Sequence, residues 1–339
     1  MRAVGYQKSL SVEDPASLID IELPKPEVQG RDLLVDVRAV SVNPIDTKVR
    51  RREAPEAGAY KVLGWDAAGI VAAVGPHVRR FKPGDAVYYA GAIGRSGSNA
   101  EFHLVDERIV GSKPASLDWA QSAALPLTAI TAWEMLFDRL DVRRPVPGMP
   151  PMLLVIGGAG GVGSMAVQLA RRLTDLTVIA TASRPETRDW ALGLGAHHVV
   201  DHSKPLPAEV EALGLGPVPL VFSTTNSEAH LAEIAQLIAP QGRFGLIDSP
   251  ITDVNQFMRK SVSIHWELMF TRPMFETADM DAQGKLLDEV ARLVDAGSLR
   301  TTLGEHYGAI NAANLRRAHG LLESGRAKGK IVLEGFAKA

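Results

Sequence analysis

Leu153-Leu154-Val155-Ile156-Gly157-Gly158-Ala159-Gly160-Gly161-Val162-Gly163-Ser164-Met165-Ala166-Val167-Gln168-Leu169-Ala170 is the stretch whose reading decides the fold. Its first four residues form a continuous apolar run, the habit of a strand covered on both faces. Five glycines are bunched behind it, at 157, 158, 160, 161 and 163. After them the apolar residues recur at helical spacing, with Val162, Met165, Ala166, Leu169, Ala170 and Leu173 on one face. Residues 151–170 carry no charge and so have a membrane-like composition, but the central glycines interrupt it. The sequence therefore predicts a strand, a tight loop and a helix over Gly161–Leu173.

Gly158, Gly160 and Gly163 fit the spacing G-x-G-x-x-G, in the required place between a strand and a helix. The turn Gly158-Ala159-Gly160-Gly161-Val162-Gly163 is thus a candidate cradle for the diphosphate of a dinucleotide. A Cβ at the glycines would hold the backbone away from the anion, and free N–H groups at the positive end of a helix dipole stabilise it. The alternative is a glycine turn used only to pack helix on sheet. Downstream, strand and helix patterns alternate. Strands are expected at Thr177–Ala182, Val199-Val200, Pro219–Ser223, Arg243–Asp248 and Ser261–Trp266, and helices at Pro185–Leu194 and Ser227–Ile238. Such alternation implies βαβ units and a doubly wound parallel sheet, the Rossmann architecture of dinucleotide-binding domains.

The second strand bears on which dinucleotide is bound. Sites for NAD place an acid about 20 residues beyond the glycines. Here that strand ends Thr181-Ala182-Ser183-Arg184, with no acid at its tip. Ser183 and the multi-donor guanidinium of Arg184 suit a 2′-phosphate, which favours NADPH over NADH. The alternative for Arg184 is a solvated loop charge.

The rest of the chain sets the frame. At 339 residues it is long enough for two domains, and 46% hydrophobic with 22% charged residues is an ordinary globular mix. A formal net charge of -2 gives no electrostatic case for a nucleic-acid or anionic-membrane partner. There is no cysteine, which excludes disulfides and thiolate metal sites. The opening MRAVGYQKSL lacks the long apolar run of a signal peptide, so a cytoplasmic location is the expectation. Residues before about 125 read as many short strands divided by turn signals such as Lys82-Pro83-Gly84-Asp85, the pattern of a small barrel or sandwich. The tail shows helical patterns near 282–296 and 311–324 and closes on the strand-like Lys330-Ile331-Val332-Leu333.

Taken together, Ser41-Val42-Asn43-Pro44-Ile45-Asp46, Gly64-Trp65-Asp66-Ala67-Ala68-Gly69, Phe81-Lys82-Pro83-Gly84-Asp85, Leu125-Pro126-Leu127-Thr128-Ala129, Gly157–Gly163 and Gly329-Lys330-Ile331-Val332 resemble the medium-chain dehydrogenases/reductases over nearly the full length. The likeness is to their quinone oxidoreductase branch, which includes members named zinc-type alcohol dehydrogenase-like. It implies a GroES-like β-rich catalytic domain over residues 1–127, completed by 267–339, and a Rossmann NADPH-binding domain over 128–266, with the active site between them. It also implies that Asn43 and Thr128 line the nicotinamide side, that Lys330 is a basic position near the cofactor, and that His202 stands where relatives often have a Tyr beside the adenosine phosphate. A surface histidine without a partner is the other reading of His202, and a loop amide bonding its own backbone that of Asn43.

In zinc-dependent relatives two Cys and one His hold the metal. Here the first of those positions is Asn43, and Gly-His-Glu reads Gly64-Trp65-Asp66, so no catalytic zinc is expected. Without that Lewis acid a conjugated acceptor suits the chemistry, because hydride addition to a quinone or enone gives an oxyanion already delocalised. The expectation is therefore an NADPH-dependent, zinc-independent quinone or α,β-unsaturated carbonyl reductase acting on a small apolar substrate. A NADPH-binding protein with little turnover is the first alternative and an alcohol dehydrogenase the second. Tyr60 is a candidate proton donor, or a packed rim aromatic. Met269 and Phe270 are either a pocket wall or ordinary core. The uncharged Ser261–Trp266 strand would lie at a sheet edge, and a homodimer through it is expected. The physiological substrate is not legible.

Overall fold

The apolar run becomes β1 (Met152–Ile156), buried at every residue in a computed structural model that describes Met1–Asp248 and Pro250–Phe336. The chain divides into two compact units, one of Met1–Ile130 with the chain from Phe270 onward, the other Thr131–Met269.

In the second unit β1 is followed by α1 (Gly161–Leu173), β2 (Thr177–Thr181), α2 (Pro185–Gly193), β3 (His198–Val200), α3 (Leu206–Glu211), β4 (Val218–Ser223), α4 (Leu231–Leu237), β5 (Ile238–Leu246) and β6 (Ser263–Trp266). The strands pair in the order β3-β2-β1-β4-β5-β6, every neighbour parallel. This is the doubly wound order, and the chain reverses direction across the sheet between β1 and β4. Ligands of such sheets bind beyond the carboxyl ends of the strands at that reversal. Leu154, Ile179, Val221 and Phe244 from the strands and Phe257 from outside the sheet are among the buried side chains of one hydrophobic cluster. Each removes roughly 1.5–3 kcal/mol of apolar surface energy from water, before chain entropy is subtracted.

Three elements differ from expectation. The helix expected over Ser227–Ile238 is only α4, because Ser227 is tied elsewhere: its N–H donates to Asp248 Oδ2 at 2.9 Å and its hydroxyl to Ser223 Oγ at 2.8 Å. The strand expected over Arg243–Asp248 begins five residues earlier and ends at Leu246. The edge strand begins at Ser263, since Ser261 has φ +50° and closes the preceding 3-10 turn, Val254–Lys260.

The first unit is built on a seven-stranded sheet. Its path runs Leu303–His306, Lys330–Glu334, Asp32–Val42, Ala67–Val74, Ala86–Tyr89 and Val110–Ser112, and Phe102–Asp106 also pairs with Asp32–Val42. A three-stranded sheet of Ile19–Glu22, Arg2–Tyr6 and Lys61–Val62 completes it. Pairing sets Ile331 opposite Val42 and Ala67 opposite Val40, both antiparallel. That register brings Asn43, Asp66 and Lys330 to one place, although they are far apart in sequence. Among the described residues no helix is long and apolar enough to cross a membrane.

Candidate functional site

Each unit carries its own group of candidate residues. In the second unit the three glycines of the fingerprint have different reasons to lack a side chain. A Cβ at Gly158 would lie 2.6 Å from the Cβ of Ala180 on β2, so this glycine lets turn and strand touch. A Cβ at Gly163 would overlap the carbonyl oxygen of Gly157, so this one lets α1 start against the turn. A Cβ at Gly160 would meet, among the described residues, only Gly157 O at 3.5 Å, and the φ of -71° is open to any residue. Neither packing nor backbone strain calls for glycine there, whereas close approach of an anion does. Gly160 is also the cap of α1 and offers no side chain to its first amides. Those N–H groups lack helical partners and remain free to donate. Gly160, Gly161 and Val162 are half-buried, while Ala159 and Gly163 are buried.

A hydrogen-bond chain leads away from the turn. Gly157, at φ +79°, donates its N–H to Thr181 Oγ1 at 3.0 Å, and that hydroxyl lies 2.9 Å from His202 Nδ1. His202 is half-buried, and its ring meets that of His230 edge to face at 6.4 Å. His230 in turn bonds Glu233 at 2.8 Å. Burial, and secondarily His230, hold the His202 imidazole below the usual histidine range. His202 is therefore a bonded residue rather than a solitary surface histidine. Ser183 is exposed at the tip of β2. Arg184, beside it, ion-pairs through Nε with Glu186 Oε1 at 2.8 Å, and Arg188 donates to Val199 O at 2.6 Å.

In the first unit the converging strand ends form a sealed polar cluster. Lys330 is 3% exposed, and its ammonium donates to Asp66 Oδ2 and Val42 O, each at 2.9 Å, and to Asn43 Oδ1. Asn43 Nδ2 donates to the same Asp66 oxygen at 2.8 Å, and Leu127 N–H donates to Asp66 Oδ1 at 2.8 Å. Burial raises the Asp66 carboxyl, and the Lys330 ammonium opposes it most strongly. Asp46 accepts the Asn43 N–H at 2.8 Å through Oδ2, while among the described residues its Oδ1 has no partner in good hydrogen-bond geometry, although the Gly64 amide lies close enough to favour the charged form. Burial pushes this carboxyl up to about 7. A carboxyl without a full set of donors is cheaper to keep protonated in an apolar interior than ionised.

Of the residues expected from sequence, Asn43 and Lys330 thus meet directly, and Thr128 adjoins them one residue past the bonded Leu127. The Thr128 hydroxyl donates to Leu125 O at 3.0 Å. Tyr60 is exposed just before the strand Lys61–Val62, 42% of it open to solvent. Phe270 is buried and packs edge-on against Trp65 at 6.0 Å, and Met269 is buried also. Asp46, Asp66, Thr181 and His230 were not anticipated. The only sequence signal was Asp46 three residues after Asn43, the spacing of a helix-capping pair.

Comparison with known proteins fits this layout. A family model described as the alcohol dehydrogenase GroES-like domain matches residues 29–115, and one described as zinc-binding dehydrogenase matches residues 194–333. A zinc-type alcohol dehydrogenase-like protein of Staphylococcus aureus (strain MRSA252) is 38% identical over 336 residues, 98% of this chain and 99% of that one. A quinone oxidoreductase of Pseudomonas aeruginosa is 31% identical over 310 residues, 89% of this chain and 91% of that one. Among solved structures, a Rhizobium etli CFN 42 protein provisionally described as a zinc-dependent alcohol dehydrogenase superposes with TM-score 0.98 at 66% identity, covering 100% of this chain and 99% of that one. A mycobacterial protein solved with NADPH superposes with TM-score 0.82 at 25% identity, covering 98% of this chain and 100% of that one. The chain belongs to the medium-chain dehydrogenase/reductase superfamily, with a GroES-like domain and a Rossmann domain, in the branch of the zinc-type alcohol dehydrogenase-like proteins and quinone oxidoreductases.

Proposed function

We propose that this chain is an NADPH-dependent oxidoreductase that passes hydride to a quinone, or to the β-carbon of an α,β-unsaturated carbonyl, without a metal. The observation that carries the reading is Gly160, a glycine with no internal reason to be one, at the cap of α1 beside the point where the sheet reverses. The NADPH-bound mycobacterial neighbour and the Pseudomonas quinone oxidoreductase support the cofactor and the acceptor class.

The nicotinamide supplies the hydride when bound. The chain's own residues bind and orient. The amides opening α1 and the turn Gly158–Gly163 take the diphosphate, and Ser183 and Arg184 take the 2′-phosphate in competition with Glu186. His202 stands by the adenosine end, and Asn43 and Thr128 serve the nicotinamide end, with Lys330 and Asp66 fixing Asn43's orientation. Tyr60 is the candidate proton donor. A resonance-spread oxyanion asks little of the protein beyond positioning and a few donors.

The family name carries zinc, and the residues here do not suit it. Cysteine is absent, Trp65 stands where an imidazole would be needed, and Asp66 and Asn43 are already engaged by the Lys330 ammonium. Among the described residues no three His, Asp or Glu side chains converge on a metal-binding arrangement. We therefore derive no step through zinc. The rival, a dinucleotide-binding protein with little turnover, has one observation in its favour: the Asn43 amide is spent inside the cluster. We further propose that the protein is a homodimer through the edge strand β6, whose Trp266 is 52% exposed. The deciding experiment is NADPH consumption with a panel of quinones and enones. Acceptor-stimulated oxidation is expected; its absence across the panel favours the binding protein.

A further inference from the structure

We propose that His202 is a positioning residue for the diphosphate turn, holding Gly157 through Thr181, so that the grip on a dinucleotide loosens in mild acid. The inference rests on the dinucleotide reading above and adds a regulation of that site.

The polarity of the hydrogen-bond chain depends on the His202 tautomer. Gly157 N–H fills one lone pair of Thr181 Oγ1 at 3.0 Å. The hydroxyl's own hydrogen then needs an acceptor, and His202 Nδ1 stands 2.9 Å away. Neutral imidazole can accept there only with its proton on Nε2. A second ring proton would convert Nδ1 from acceptor to donor. The Thr181 hydroxyl, on a side chain with no exposure, would then lose its acceptor. Thr181 Oγ1 can still accept from Gly157, so the effect reaches the turn only if the unsatisfied hydroxyl turns its side chain about χ1 and withdraws Oγ1 from the Gly157 N–H. Gly157 is the hinge of the turn: it sits in the left-handed region, and Gly163 packs on its carbonyl.

The charged and titratable groups around His202 come from several elements. Asp201 and Lys204 share its turn, and Glu209 lies on α3, its Oε2 taking the Asp201 N–H. His230 and Glu233 belong to α4 and its cap, and Arg184 lies past β2. Burial first and His230 second keep His202 neutral to lower pH than an ordinary histidine. The binding-competent neutral form is thus fully present above the usual histidine range and is lost as pH falls beneath it. An imidazolium would also attract an anionic ligand, but in a half-exposed setting that attraction is screened, whereas among the described residues the buried hydroxyl has no partner besides Gly157 and His202.

The test is calorimetric titration with ADP-ribose from pH 8 to pH 5. This probe carries the diphosphate but neither a nicotinamide nor a 2′-phosphate that titrates in the same range. Wild-type protein should weaken progressively as pH falls beneath the usual histidine range. His202→Asn, whose Oδ1 replaces Nδ1 as acceptor without titrating, should give an affinity that stays flat across the pH range whatever its value at pH 8. His202→Phe should bind more weakly at every pH and also stay flat. The proposal is overturned if His202→Asn follows the wild-type pH curve, if wild type tightens in acid, or if His202→Phe equals wild type at pH 8. Wild-type protein that takes no ADP-ribose at pH 8 would instead remove the dinucleotide reading, and this proposal with it.

Discussion

Replacing Lys330 by Met tests whether the first unit is organised around a buried ammonium. The substitution keeps the length and apolar stem of the side chain but removes a cation that is 3% exposed and donates to Asp66, Asn43 and Val42. Asp66 would keep two donors, the Leu127 amide and the Asn43 side chain, each at 2.8 Å, but no opposite charge. Breaking a buried pair from one side costs about 3–5 kcal/mol. For a unit of this size that corresponds to a fall of roughly 6–20 °C in Tm. The sign of the pH dependence follows from Asp66. Burial already raises its carboxyl, and losing Lys330 raises it further. An acid whose folded-state pKa is raised weakens the fold above that value and ceases to do so as pH falls below its unfolded value. The gap between wild type and Lys330→Met should therefore narrow from pH 8 to pH 5. In the double variant Lys330→Met/Asp66→Asn most of the loss should return, since no bare charge is left buried. Urea unfolding followed by tryptophan fluorescence reads all three. A gap that widens in acid, or a double variant as unstable as the single one, refutes the reasoning.

Other substitutions separate the remaining parts. Asp46→Asn should stabilise the protein above pH 7 and flatten its stability between pH 4 and 7, because burial pushes the native carboxyl up to about 7; the gain is at most about 4 kcal/mol by linkage and is read from urea midpoints against pH. Arg184→Ala should weaken NADPH about tenfold and leave NADH unchanged, whereas Glu186→Gln should tighten NADPH by removing a carboxylate that competes for the guanidinium; equal effects on both coenzymes in fluorescence titrations would count against a 2′-phosphate site. Gly163→Ala should destabilise the fold by several kcal/mol or prevent it from forming, because its Cβ would overlap the Gly157 carbonyl; an ordinary melting curve would contradict that packing. Trp266→Lys should turn the proposed dimer into a monomer in light scattering, and a wild-type monomer at assay concentration removes the dimer itself.

The second unit was legible in sequence because its signals are local. The apolar run, the glycines and the helical spacing of Met165, Leu169 and Leu173 place β1 and α1 within a residue of their observed limits. The same signals misjudged Ser227, since its bonds to Ser223 and Asp248 arise only once β4 and β5 are side by side. Candidate residues were legible where a motif carried them and illegible where pairing created them. Asn43 and Lys330 could be named singly, but nothing local says that Lys330 Nζ will lie on Asp66, 264 positions away. That contact follows from the antiparallel register of Lys330–Glu334 on Asp32–Val42. The link from Thr181 to His202 likewise needs β2 and β3 in parallel register.

The most direct test of the central claim is a calorimetric titration of NADPH into wild-type protein and Gly160→Val. The backbone at Gly160 accepts a Cβ, which among the described residues would meet only Gly157 O at 3.5 Å, so the variant should fold, its stability in a thermal melt lowered by about 1 kcal/mol or less for the poorer helix cap. The account predicts one NADPH per wild-type chain and at least tenfold weaker binding by the folded variant. Wild-type protein that takes up no NADPH, or a valine variant that binds it equally well, would contradict it.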